Sequence, residues 1–84
     1  MTIKQLKSLS DIEIGLRATV ASVYSLRRDY AVRLLEMGFI PGAEVVVYTK
    51  SGGLTLVGLD GQRIALSDEE ARYVSVTIEA ELIR

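Results

Sequence analysis

Residues 33–42 read Arg33-Leu34-Leu35-Glu36-Met37-Gly38-Phe39-Ile40-Pro41-Gly42, RLLEMGFIPG, a helix end followed at once by a chain reversal. Upstream, SLRRDYAVRLLEMG (25–38) sets Tyr30, Ala31, Leu34, Leu35 and Met37 on one side of a helix and Asp29, Arg33 and Glu36 on the other. Asp29 favours the helix start and stands at i,i+4 from Arg33, while Gly38 supplies the left-handed position that stops the helix. A helix of about two and a half turns does not persist alone in water, so its apolar face must lie on a sheet. Ile40-Pro41-Gly42-Ala43 then reads as a type II turn, because proline presets the second position and glycine accepts positive φ at the third.

Working outward, strands lie on both sides. Leu16, Ala18 and Val20 alternate with Arg17 and Thr19 after Gly15, a half-buried strand running to about Tyr24. Glu44–Thr49 is rich in β-branched residues, Lys50-Ser51-Gly52-Gly53 interrupts it, and Leu54–Leu59 resumes. Asp60-Gly61 is a type I′ hairpin signal that sets Val57 opposite Ile64 and Gly58 opposite Arg63. Gly58 inside a strand marks a bulge or a close backbone contact. Ser67-Asp68-Glu69-Glu70 has the form of a capping box before one helical turn ending near Arg72. Val74, Val76 and Ile78 alternate cleanly in a last strand, which the tail AELIR (80–84) extends. The first ten residues fit either a loose arm or a short edge strand.

Five short antiparallel strands, one helix after the first and a helical turn before the last do not cover an open two-sided sheet. The expectation is a mainly β fold, a small closed barrel spanning 1–84 as one domain. Its expected core is Leu16, Ala18, Val20, Leu34, Val45, Val47, Val57, Ile64, Leu66, Val74 and Val76. A chain of 84 residues supports one compact core and no second.

Composition excludes more than it selects. Cysteine and histidine are both absent, which removes thiolate chemistry, His-based triads and zinc sites of the usual type. Neither a P-loop nor a G-x-G-x-x-G sequence occurs, and the glycines have turn spacing instead. A formal charge of -1 withholds the electrostatic term that drives most nucleic-acid binding. The N-terminus has no signal-peptide run and no segment reaches membrane-span length, so a cytoplasmic protein is expected. No catalytic constellation is recognisable, and the reading is a module that docks onto a partner.

Candidate contact residues follow from the central stretch. Arg27-Arg28 before the helix could meet acidic groups on a partner, Arg33 and Glu36 form the polar side of the helix that Arg28 flanks, and the bends at Gly38 and Pro41 push Phe39 and Ile40 toward the surface unless both cap the barrel. Met37, at helical spacing from Tyr30 and Leu34, reads as core filler. Asp60, Asp68, Glu69 and Glu70 are the oxygen donors a divalent metal would need. The three consecutive acids also suit the first turn of a helix, where they favour its dipole.

The order of these blocks resembles the FeoA family of small proteins of bacterial ferrous iron transport. The resemblance is carried by Leu16–Val20 after Gly15, RLLEMGFIPGAEVVV (33–47), GQRIAL (61–66) and EEARYVSV (69–76). At TKSGGL (49–54) the chain is short where relatives carry a longer, proline-bearing loop. The resemblance implies an SH3-like barrel and a cytoplasmic accessory protein associating with the membrane iron permease FeoB, which carries a cytoplasmic GTPase domain. No resident cofactor is expected, charge and segment length already argue against a nucleic-acid partner and membrane insertion, and recruitment to the inner membrane face would come through the partner. Weak self-association through an open strand edge is a further expectation. The same barrel resembles the C-terminal domain of iron-dependent repressors, so a metal-binding regulatory module, taking ferrous iron or another divalent ion, is the alternative.

Overall fold

The computed structural model describes residues 1–24 and 27–81. Ser25, Leu26 and the last residues of the tail, Leu82 to Arg84, lie outside the described residues, and with them the expected extension of the last strand into AELIR. The elements run β1 (Thr2–Ser8), a 3-10 turn (Leu9–Asp11), β2 (Arg17–Val23), α1 (Arg28–Glu36), β3 (Glu44–Ser51), β4 (Leu54–Leu59), β5 (Gln62–Ser67), α2 (Asp68–Arg72) and β6 (Val74–Glu81). All pairings are antiparallel in one sheet of order β1-β6-β2-β3-β4-β5.

Six strands stand where five were expected, because the uncommitted N-terminal segment is β1 on the far side of β6. The barrel is also not closed by backbone pairing. Strands β1 and β5 are the two ends of the sheet, so among the described residues an unpaired edge remains at each. Past Thr77, β6 pairs with β1 alone, Ile78–Glu81 against Thr2–Gln5, and the molecule is elongated, 43 × 24 × 22 Å.

The inward faces still enclose one apolar cluster. Ala18 and Val20 of β2, Val45 and Val47 of β3, Val57 and Leu59 of β4, Leu66 of β5 and Val74 and Val76 of β6 are all buried in it. Register follows the hairpin chemistry: Gly52 and Gly53 both take positive φ between β3 and β4, as do Asp60 and Gly61 between β4 and β5, and Val57 faces Ile64 as the Asp-Gly turn requires. Register shifts fall instead at Ala21, between Val20 and Ser22, and at Tyr48, between Val47 and Thr49.

Two expected core residues differ. Leu16 is exposed, because it lies in the turn before β2, where its N–H donates to the Glu13 carbonyl at 3.1 Å. Ile64 is only half-buried at the sheet's end. In their place the 3-10 turn inserts Leu9 and Ile12, and Phe39, Ala43, Leu59 and Ala71 complete the cluster. The turn is tied to α2 by Ser8, whose hydroxyl donates to the Arg72 carbonyl at 3.0 Å and accepts the Ser10 N–H.

Candidate functional site

Helix α1 ends in a Schellman stop. The Phe39 N–H donates to the Leu34 carbonyl at 3.1 Å and the Gly38 N–H to Leu35 at 3.0 Å, with Gly38 at φ +107°. Leu34 and Phe39, the two residues this motif brings together, are both fully buried. Phe39 is therefore a core residue, and its expected role in partner contact is corrected: the 6→1 bond turns the residue after Gly38 back under the helix. Ile40, one residue further and at the first corner of the turn closed by the Ala43 N–H to its carbonyl, is 53% exposed.

The helix face is corrected as well. At about 100° per residue, the buried arc centres on Leu34, with Tyr30, Ala31 and Met37 half-buried beside it. Arg28, Val32 and Leu35 stand at i, i+4 and i+7 on the outer side, with Glu36 alongside. Val32 and Leu35 are 44% and 43% exposed. Leu35, expected on the buried face, is thus exposed with Val32 on the outer side, and Ile40 is exposed just past the helix end. Sequence reading does not single out Val32 and Leu35 as exposed, although the signal is present: the helix carries more apolar positions than one stripe against a sheet accommodates.

The charges around α1 are differently paired from the i,i+4 expectation. Asp29 meets Arg27 at 3.4 Å, and Arg27 is the helix N-cap without a side-chain capping bond. The Arg27 guanidinium lies 4.3 Å from the Tyr30 ring centroid, and its pKa is raised from the ordinary arginine value, first by Tyr30 and then by Asp29. Tyr30 in turn lies 6.0 Å from Tyr73. Arg33 is turned to the chain's own α2: its Nε lies 3.7 Å from Glu70 Oε2, a nearly buried carboxylate oxygen with no hydrogen bond. Arg33 balances that charge with a side chain that stays 64% exposed, and Arg28 and Glu36 are exposed as well.

The expected capping box at α2 is present, with the Glu70 N–H on Ser67 Oγ at 3.1 Å and the Ser67 N–H on Glu70 Oε1 at 3.0 Å. The remaining acids point to different partners. Asp68 Oδ1 accepts from the buried Thr55 hydroxyl, Glu69 from Tyr73, and Asp60 Oδ1 in the β4–β5 turn accepts the N–H of Glu44 at the start of β3. Among the described residues no group of three or more carboxylates converges as a metal would require. None of their helices is long and apolar enough to cross a membrane.

The FeoA domain model matches residues 7–78. The chain belongs to the FeoA family. FeoA from Stenotrophomonas maltophilia, an SH3 domain protein solved with zinc, is 36% identical over 83% of this chain and 88% of that one, with a TM-score of 0.77. FeoA from Chlorobium tepidum is 28% identical over 86% of this chain and 70% of the other, at a TM-score of 0.75. A manganese-dependent transcriptional repressor shares the fold alone, with 17% identity over 88% of this chain and 42% of its own, at a TM-score of 0.80. No curated relative matches the chain. The six-stranded antiparallel sheet is thus SH3-like, and family membership supports a role in ferrous iron transport.

Proposed function

We propose that this FeoA-family chain is a non-catalytic, cytoplasmic accessory protein of ferrous iron transport that docks onto an FeoB-type permease or its GTPase domain through the outer face of α1. Family membership supports the transport role. The observation that carries the docking face is the exposure of three large apolar residues, Val32, Leu35 and Ile40, on or just past a helix that also exposes Arg28 and Glu36 and is held by one buried face and a glycine stop. Apolar side chains inside a charged rim are the arrangement of an interface centre. Any membrane recruitment comes through the permease.

The test is co-purification of the tagged chain with the permease in membranes, and with its isolated GTPase domain. Val32→Glu, Leu35→Glu and Ile40→Glu should each abolish capture while leaving the circular dichroism spectrum unchanged, since all three positions face solvent. Retained capture by the triple variant would eliminate this face. Unchanged ferrous iron uptake after deletion of the chain would eliminate the transport role.

A further inference from the structure

A second surface, the outer edge of β5, has its own chemistry. Among the described residues strand β5 ends the sheet, with β4 on one side and no strand on the other. The two-residue Asp60-Gly61 turn makes Leu59 and Gln62 the hydrogen-bonded closing pair, so Gln62, Ile64 and Leu66 bond to β4 and the alternate residues face outward. Ser67 confirms that phase, because its outward N–H is the one taken by Glu70 Oε1. The N–H and C=O groups of Arg63 and Ala65 remain, and the described chain offers them no other partner. Both residues are exposed.

Side chains on the outer face add selectivity. Ala65 pairs with half-buried Leu56, and Arg63 with Gly58. The Tyr48 ring lies flat over Gly58, where an added Cβ would sit 2.6 Å from its hydroxyl, and the Arg63 guanidinium lies 5.4 Å from the ring centroid. Arg63 has no carboxylate within ion-pair distance among the described residues. The opposite end of β5 runs into Asp68 and Glu69, both exposed. The edge therefore reads, from one end to the other, positive, small and apolar, negative. By contrast β1, the other free edge, carries Lys4 and Lys7, the usual guard against strand addition, and β5 has neither lysine nor proline.

We propose that the free edge of β5 takes an extended segment of a partner protein as an antiparallel strand. The segment places a basic residue near Asp68 and Glu69, an apolar residue over Ala65 and Leu56, and an acidic residue at Arg63, each two positions apart. Main-chain bonds to Arg63 and Ala65 supply adhesion, and the alternate side chains set direction and sequence. This inference does not rest on docking through α1, and its test uses no permease.

The probe is the synthetic peptide acetyl-Thr-Lys-Val-Leu-Val-Glu-Thr-amide, compared with acetyl-Thr-Glu-Val-Leu-Val-Lys-Thr-amide, which has the same composition with the charges exchanged. Titration of the isotope-labelled chain to about 2 mM peptide, followed by amide shifts, should show saturable changes centred on Arg63 and Ala65 for the first peptide and weaker binding of the second. Arg63→Glu should lower affinity for the first peptide by about two- to fivefold, the effect of an exposed ion pair, and improve the second. Ala65→Pro removes an outward N–H without touching the β4 ladder and should abolish binding with the remaining amide spectrum retained. Equal affinity for the two peptides, no saturation, or shifts confined to α1 would overturn the proposal. So would sedimentation showing a dimer of the free chain that Ala65→Pro dissociates, since a second copy would then be the occupant.

Discussion

Truncating Phe39 to alanine removes a whole ring from a position with no solvent exposure, in contact with the same core that holds Leu34 and Val57. The two backbone bonds that stop α1 do not involve the side chain, so the loss is one of packing: transfer of the ring plus the cavity left behind, about 3–5 kcal/mol. Total stability for a domain of this kind is on the order of 5–15 kcal/mol, so Phe39→Ala approaches the limit of folding. Phe39→Leu keeps a branched apolar filling and should cost about 1–2 kcal/mol. Ile40, its sequence neighbour, is 53% exposed, and Ile40→Ala should cost less than about 1 kcal/mol. Urea unfolding followed by far-ultraviolet circular dichroism resolves the difference. With a slope of about 1 kcal/mol per molar, the midpoint falls by roughly 1–2 M for Phe39→Leu and by well under 1 M for Ile40→Ala. Equal losses at the two positions, or a larger one at Ile40, would refute the placement of Phe39 in the core and of Ile40 at the exposed corner.

Gly38→Ala should destabilise by about 1–2 kcal/mol in the same assay, since alanine is strained at φ +107° and its Cβ would meet Leu59 Cδ2 at 3.3 Å. Ser67→Ala removes one arm of the capping box and should cost about 1 kcal/mol, whereas Ser51→Ala, in an exposed hairpin position, should leave the midpoint within error. Gly58→Ala should push the half-exposed Tyr48 ring off the sheet, read as a change in the Tyr48 ring resonances, with a stability loss below about 1 kcal/mol because the ring swings into solvent. Unchanged ring resonances would mean that Tyr48 does not cover Gly58.

Much of the fold was legible because it is written in short-range chemistry. The Pro41-Gly42 and Asp60-Gly61 turns, the Gly38 stop and the Ser67–Glu70 capping box each depend on residues within a few positions of one another, and each is in place. Alternation likewise located the buried faces of β2, β3 and β6. The first strand was legible only as one of two alternatives: Thr2–Ser8 is exposed along almost its whole length, so it has no buried face to produce alternation, and its place is set by pairing with β6, some seventy residues away in sequence. Leu9 and Ile12 escaped notice for a related reason, since they enter the core from a three-residue turn with no period to read.

At the candidate site the division falls between adjacent residues. Sequence by itself determined that a helix stops at Gly38, that the chain reverses at Pro41-Gly42, and that several large apolar residues crowd that corner, because propensity, capping and turn geometry are local. Only the tertiary structure decided which of them are hidden. Phe39 is drawn under the helix by the bond from its N–H to Leu34, Leu35 is rotated out because the barrel offers α1 a single contact line, and Arg33 is turned to Glu70 by the approach of α2. Burial and ion pairing are sums over neighbours brought from distant parts of the chain, and no local pattern contains them.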